Sequence, residues 1–557
     1  MVSVDGEAQA AAAAAQTIAL GQVVGDNWPI LVFGLLVFAG VLRWRLRRVD
    51  PLTKAHRRLT GEAAVFEASQ GRVSAGQLVQ QSPCPAQGIP LGYAPPKPWR
   101  PWRPQLRRPC RPVGIPWDAD KGHLLVVAPS RSGKSYHQTD TLLRFAGPAL
   151  VLDPKREQYR RTAGTRAARG PVYEVPAVGL DLATLFDLSR EVDRRELFTC
   201  LWRPWMDKGE PFFTQATAPL LEAAYLTGLA TDTNPLRLLA RWSRMAAGHA
   251  LAEAQPHAPA AVEQVTGGIP LDTLAENRTF HAVWMTFTGK WAPLVEAIDV
   301  LATAAGAGGV PADWAERNGT IYLTWPLHQQ AAVGPLVAAV VAGLVRHLQA
   351  RPAGPRALLS LDEAPAVAVP GLSLYVSTLG GAGSGVTCVV YTQSIPALTA
   401  VYGPHETRSI IGNCGFQVWH RPQDVESAEA LSTLFGEVCE VTWNASSGTN
   451  EGRSQAGGAL VPGSYSSSAN AGASLGTRYR PALNVAQAMA LGDYEVIVQL
   501  RGKRARLYSS YAVLEHTLGS LPHPPAPADP AAATVEPIRQ PEATPTAAPP
   551  PASGPGW

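Results

Sequence analysis

The chain is 557 residues long, carries a formal net charge of +4, and is 17% charged. That length has room for two or three domains with a large core, and the near-neutral balance excludes a basic field spread over the whole molecule. The six cysteines, Cys84, Cys110, Cys200, Cys388, Cys414 and Cys439, form no CxxC pair and have no nearby histidine cluster. This argues against zinc and against a disulfide framework, and it suits a reducing cytosol.

From the N-terminus, residues 28–42 (WPILVFGLLVFAGVL) are uncharged and are followed by Arg43, Arg45, Arg47 and Arg48, with no Lys or Arg before them. The positive-inside rule predicts one transmembrane helix here, in an N-terminal region of residues 1–50, with its C-terminal end and everything beyond it in the cytoplasm. Residues 51–112 read as a basic, proline-rich linker. After a short polar helical stretch, residues 95–112 (PPKPWRPWRPQLRRPCRP) combine prolines, which forbid helix and sheet ladders, with five arginines and two tryptophans. Such a spacer is solvated, touches anionic lipid, or stacks on single-stranded bases.

Residues 123–143 (HLLVVAPSRSGKSYHQTDTLL) read as a buried strand, a tight loop and a helix starting near Lys134. Successive backbone N–H groups and a helix N-terminus aimed at one point make a polyphosphate cradle. Its members are Pro129, Ser130, Arg131, Ser132, Gly133, Lys134 and Ser135: Lys134 reaches the β- and γ-phosphates and the Ser135 hydroxyl ligates Mg²⁺. The motif's first glycine is replaced by Ala128, which is tolerable only if that residue keeps a negative φ.

Short apolar strands follow at 149–153 and 171–175, so strand and helix alternate as in a parallel sheet. Residues 187–317 are rich in Ala and Leu and predict an all-helical domain inserted between the two parts of the ATPase domain, 113–186 and 318–515. The strand at 320–325 and a helix at 333–349 resume the sheet domain. Residues 357–363 (ALLSLDE) form an apolar strand ending in two carboxylates, the Walker B arrangement: Asp362 holds Mg²⁺ and Glu363 orients and deprotonates the attacking water. The strand at 387–392 ends at Gln393, placed to sense the γ-phosphate. Residues 443–477, rich in Ser, Gly, Asn and Ala, predict a mobile loop. Closing strands follow at 494–500 and 506–511, and residues 516–557 form a disordered Pro/Ala-rich tail.

These segments, GHLLVVAPSRSGKS, LVLDPKREQY, LSLDEAPAVAVPGL, VTCVVYTQS, IIGNC and DVESAEALSTLFGE, resemble in order the TraG/TraD-like coupling proteins of type IV secretion, over residues 113–514. The resemblance implies an α/β RecA-like P-loop domain with an inserted all-helical domain and an N-terminal anchor in the bacterial cell membrane. It also implies a homo-hexamer that uses ATP and Mg²⁺ to feed a relaxase-bound DNA strand to secretion channel proteins. Two rival readings are an FtsK/HerA-like pump for double-stranded DNA and a low-turnover docking platform. Where relatives carry a TGRSRG-like segment with an arginine finger, residues 378–385 (TLGGAGSG) have no arginine; Arg421 and Arg408 are the candidates in its place.

Overall fold

The computed structural model describes residues 32, 36–38, 51–94, 110–116, 122–206, 212, 215–298, 309–350, 354–379, 385–453 and 465–518. They fall into two units, residues 71–435 with 483–557 and residues 1–70 with 436–482.

The larger unit is built on one eleven-stranded sheet, in the order β2-β1-β13-β12-β9-β3-β8-β7-β4-β6-β5. Seven strands run parallel: β3 (Leu124–Val127), β4 (Ala149–Leu152), β5 (Val172–Val175), β6 (Thr320–Leu323), β7 (Ala357–Leu361), β8 (Val386–Thr392) and β9 (Phe416–Trp419). Their near-continuous apolar runs are what a sheet covered on both faces requires. Leu125 and Val127 point into one core with Leu150 and Leu359, while Leu124 and Val126 point into a second with Leu358 and Val389.

The sheet is mixed rather than parallel throughout. Four antiparallel strands extend it beyond β9: β1 (Ile89–Ala94), β2 (Arg111–Ile115), β12 (Glu495–Leu500) and β13 (Lys503–Tyr508). The β12–β13 hairpin turns on Arg501 and Gly502, whose φ of 48° and 79° give the doubly positive turn that matches strand twist. β1 corrects the linker assignment for residues 89–94: every residue of this apolar IPLGYA run is buried in the sheet. Most of residues 95–112 lie outside the described residues, as does all of the proposed membrane span except residues 32 and 36–38 and all of the tail beyond residue 518. Among the described residues one helix, α10 (Gln330–Ala350), has the length and apolarity to cross a membrane, over its stretch Val333–Ala350. That stretch is 72% buried and serves as a core helix packed on the sheet domain.

Between β5 and β6 the chain passes through α4 (Glu191–Met206), α5 (Pro219–Thr231), α6 (Pro235–Trp242), α7 (Ala247–Ala254), α8 (Pro259–Thr266) and α9 (Arg278–Trp291), after α1 (Pro51–Ser69), α2 (Lys134–Arg144) and α3 (Glu157–Ala167) earlier in the chain. Aromatic stacking joins α4 to α9, with Trp202 and Trp291 ring centroids 5.2 Å apart. Arg346 of α10 reaches across to Asp193 of α4 at 2.6 Å, tying the helical layer to the sheet unit.

In the smaller unit, α1 accompanies a two-stranded ribbon of β10 (Glu437–Arg453) and β11 (Tyr465–Pro481), paired without a break from Glu437↔Pro481 to Arg453↔Tyr465. This corrects the mobile loop expected at 443–477 for the described residues 443–453 and 465–477. A ladder is held by backbone N–H and C=O groups, so Ser, Gly, Asn and Ala do not prevent it even though they weaken the sequence signal for a strand. Phe66 of α1 packs edge-on against Tyr479, centroids 4.9 Å apart.

Candidate nucleotide site

β3 delivers the loop at 128–133 to the carboxyl edge of the sheet, where an open α/β fold places its ligand crevice. Ala128 is fully buried, is absent from the positive-φ residues, and donates its N–H to Thr392 O at 2.9 Å. The missing glycine therefore costs nothing in backbone strain. The positive φ falls instead at Arg131 (65°) and at Gly133 (102°), which opens α2 with no side-chain cap. Within the loop, Ser132 N–H and its hydroxyl both donate to Pro129 O, at 3.2 and 2.7 Å. The first N–H groups of α2 have no preceding helical turn to bond, which is what an anion site requires.

Lys134 is buried, with 10% of its side chain exposed, and its ammonium lies 3.1 Å from Asp362 Oδ1 and bonds Glu363 Oε1. Both carboxylates stand at the tip of β7, separated from β3 only by β8. Gln393, at the tip of β8, donates to Glu363 Oε1 at 3.0 Å and accepts from Ser130 Oγ at 3.4 Å. Glu363 itself is held at φ 51°, a left-handed conformation that a non-glycine residue adopts at a cost. Asp362 is 8% exposed, and burial raises its pKa; Lys134 pulls it down and Glu363 pushes it up. The structure thus brings together Ser130, Lys134, Asp362, Glu363 and Gln393, while Ser135 sits in the first turn of α2 beside them.

Three further groups support the site, none of them given a role by the sequence. Asp153, at the tip of β4 next to β7, is buried and accepts N–H bonds from Glu157 (2.9 Å) and Tyr159 (2.7 Å), capping α3; burial pushes its pKa up to about 6. His137 Nδ1 lies 3.1 Å from Tyr391 OH, and burial holds this histidine down at about 4. His420, just beyond β9, packs beneath the loop and is pushed down to about 3 by burial, so both imidazoles stay neutral at physiological pH. The DPK segment after β4 was the one signal that pointed to Asp153.

The two finger candidates lie apart from these carboxylates. Arg421 follows β9 and pairs with Asp493 at 2.9 Å, with 42% of its side chain exposed. Arg408 lies in α11 (Ile395–Asn413), beyond a break at Gly403 (φ 75°), and its Nε donates to Pro404 O at 3.1 Å. Residues 380–384 of the arginine-free segment lie outside the described residues.

A site made of oxygen donors, a lysine and backbone N–H groups suits a hard cation carried in by a polyphosphate. Among the described residues no group of three or more His, Cys, Asp or Glu is placed to hold a metal, so the protein itself offers Mg²⁺ only a partial shell. The strand order and the loop–carboxylate pairing define a P-loop nucleotide-binding domain of the RecA-like class.

Two family comparisons narrow this class. Residues 107–177 match the family described as "Type IV secretory system Conjugative DNA transfer", and residues 356–491 match the one described as "TraM recognition site of TraD and TraG". In these two segments the chain is similar to the coupling proteins of type IV secretion. No curated protein sequence matches it. Among solved structures, it is similar to the bacterial conjugative coupling protein TrwBdeltaN70 in complex with sulphate, at 16% identity and TM-score 0.56, covering 79% of this chain and 92% of that one. Plasmid coupling protein TrwB in complex with ADP and Mg²⁺, and in complex with the non-hydrolysable GTP analogue GDPNP, each match at 16% identity and TM-score 0.56 over 78% of this chain and 92% of the other. At this identity the likeness shows a shared fold.

Proposed function

We propose that the protein is a membrane-anchored, hexameric ATPase that couples a relaxase-bound DNA strand to a type IV secretion channel in conjugative transfer. The observation that carries the reading is Lys134 poised against Asp362 and Glu363 across the tips of β3 and β7, in a chain similar to the coupling proteins. The TrwB structures, whose titles name ADP with Mg²⁺ and a GTP analogue, support a nucleotide polyphosphate as the ligand.

Pro129 to Ser135 would hold the phosphates through backbone N–H groups and the Lys134 ammonium, and Ser135 with Asp362 would hold Mg²⁺. When bound, Mg²⁺ would neutralise phosphate charge at Ser135 and Asp362. Glu363 takes the proton of the attacking water, and Gln393, already bonded to Glu363, keeps that carboxylate turned toward the loop. Residues 378–385 carry no arginine, so Arg421 or Arg408 of a neighbouring subunit is the candidate to complete the site in a ring. The uncharged run at 28–42 with its following arginines supports the anchor and a motor on the cytoplasmic side.

The test is ATPase turnover of the full-length protein in detergent, with single- or double-stranded DNA of random sequence added across a salt series. Stimulation by single strands, weakening steeply as salt rises and indifferent to sequence, supports the proposal. Stimulation by duplex alone favours the FtsK/HerA-like pump, and absence of turnover favours the docking platform.

A further inference from the structure

The phosphate loop is braced by a part of the chain to which no role has been assigned. Helix α12 (Ser510–Leu518) lies along α2 and touches it on one stripe, at Gly133, Tyr136 and Asp140, positions i, i+3 and i+7 on one helix face. At the loop end, a Cβ added to Gly133 would stand 2.8 Å from Tyr511 Cβ, so Tyr511 closes directly over the residue whose φ of 102° forms the cradle. The Tyr511 ring then packs on Tyr136 at 4.7 Å and stacks on Tyr494 at 5.2 Å, while the Arg161 guanidinium covers Tyr136 at 5.2 Å. One turn further, Ser510 Oγ donates to Asp140 Oδ2 at 2.9 Å, and the same buried carboxylate takes Tyr93 OH at 2.6 Å and Arg144 Nε at 2.7 Å.

The loop needs such a brace. It holds Arg131 in a left-handed conformation that is unfavourable for a non-glycine residue, and Gly133 opens α2 without any side-chain cap. We propose that Tyr511 is a positioning residue for nucleotide binding, with Ser510 as its anchor: α12 keeps the phosphate loop in its binding-competent shape. This rests on the nucleotide-site reading above and adds to it a contribution from the far end of the sequence. The expected size follows from population arithmetic: if losing the brace leaves the competent loop populated about one-tenth of the time, apparent affinity falls about tenfold.

The experiment is a titration of the full-length protein with a fluorescent ATP analogue in Mg²⁺, alongside calorimetric melting, for the parent, Tyr511→Ala, Tyr511→Phe and Ser510→Ala. Tyr511→Ala is expected to bind about tenfold more weakly, Tyr511→Phe to recover affinity through its ring, and Ser510→Ala to fall between them. Parent-like affinity in Tyr511→Ala overturns the proposal, whether or not the melting temperature drops. So does weakened binding that Tyr511→Phe fails to restore, because the ring is what packs on Tyr136 and Tyr494. A parent protein that binds no nucleotide refutes the underlying site reading instead.

Discussion

Glu363→Gln separates chemistry from binding at this site. The substitution keeps the shape of the side chain and an oxygen to accept from Gln393 Nε2, now 3.0 Å away, but it removes the proton acceptor. General-base catalysis contributes about 10²- to 10⁴-fold, so turnover should fall by at least about 100-fold. Nucleotide affinity should hold or improve. Lys134 is shared between Asp362 at 3.1 Å and Glu363, and a neutral partner at 363 makes the ammonium easier to draw toward phosphate. Lys134→Ala acts in the opposite sense: it removes the phosphate contact and leaves two carboxylates side by side in a site where Asp362 is already hard to ionise. Binding itself should then fail. Phosphate release measured beside equilibrium binding of a fluorescent ATP analogue distinguishes the two variants. Turnover of Glu363→Gln within tenfold of the parent would refute the assignment of the base.

Gly133→Ala should abolish nucleotide binding in the same titration, because its Cβ would meet Tyr511 Cβ at 2.8 Å and the residue would be strained at φ 102°. Asp153 has a folded pKa of about 6 against an ordinary 3.8, so the folded state holds its proton longer; the stability this brings is complete below about pH 4 and is lost as pH rises through about 6. Asp153→Asn, which keeps an oxygen to cap α3, should remove that slope in urea midpoints measured from pH 4 to 7, and an unchanged slope would show that another group titrates there. Arg421→Ala protomers mixed with Glu363→Gln protomers should recover part of the ATPase activity if Arg421 acts in trans; the Arg421–Asp493 pair it must leave is exposed and worth at most about 1 kcal/mol. Absence of recovery, with Arg408→Ala behaving alike, would remove both arginines as candidates.

The parts of the molecule that could be read from sequence are those whose signal is local. The loop and Lys134 follow an apolar strand and open a helix, and Asp362 and Glu363 end another apolar strand, so each declares itself within about ten residues. The apolar runs at β4, β5, β6 and β8 are equally local. Pairings between distant segments left no such trace. β1 is a short IPLGYA run beside a proline-rich stretch, and only its antiparallel partners β2 and β13 make it a strand. The β10–β11 ribbon has the composition of a loop because its ladder is carried by backbone groups. The bond from Ser510 to Asp140 spans 370 residues, and nothing around SSYAVLEHTL marks it as a neighbour of the phosphate loop. The sheet order, which brings β7 within one strand of β3, is likewise a property of the whole chain.

That order also gives the site a resting state. Lys134 has two sets of partners that exclude one another: the carboxylates it now neutralises and the phosphates its place in the loop equips it to hold. While it bonds Glu363, the carboxylate oxygen Oε1 is engaged by that ammonium and by the Gln393 amide. Moving Lys134 onto phosphate releases Glu363 and leaves Asp362, buried and reluctant to carry charge unpaired, in need of a replacement cation. On the proposed reading, Glu363 would be freed only when phosphate draws Lys134 into the loop, and Asp362 would then be available to help hold Mg²⁺. On that reading the same lysine would link nucleotide binding to the availability of Glu363.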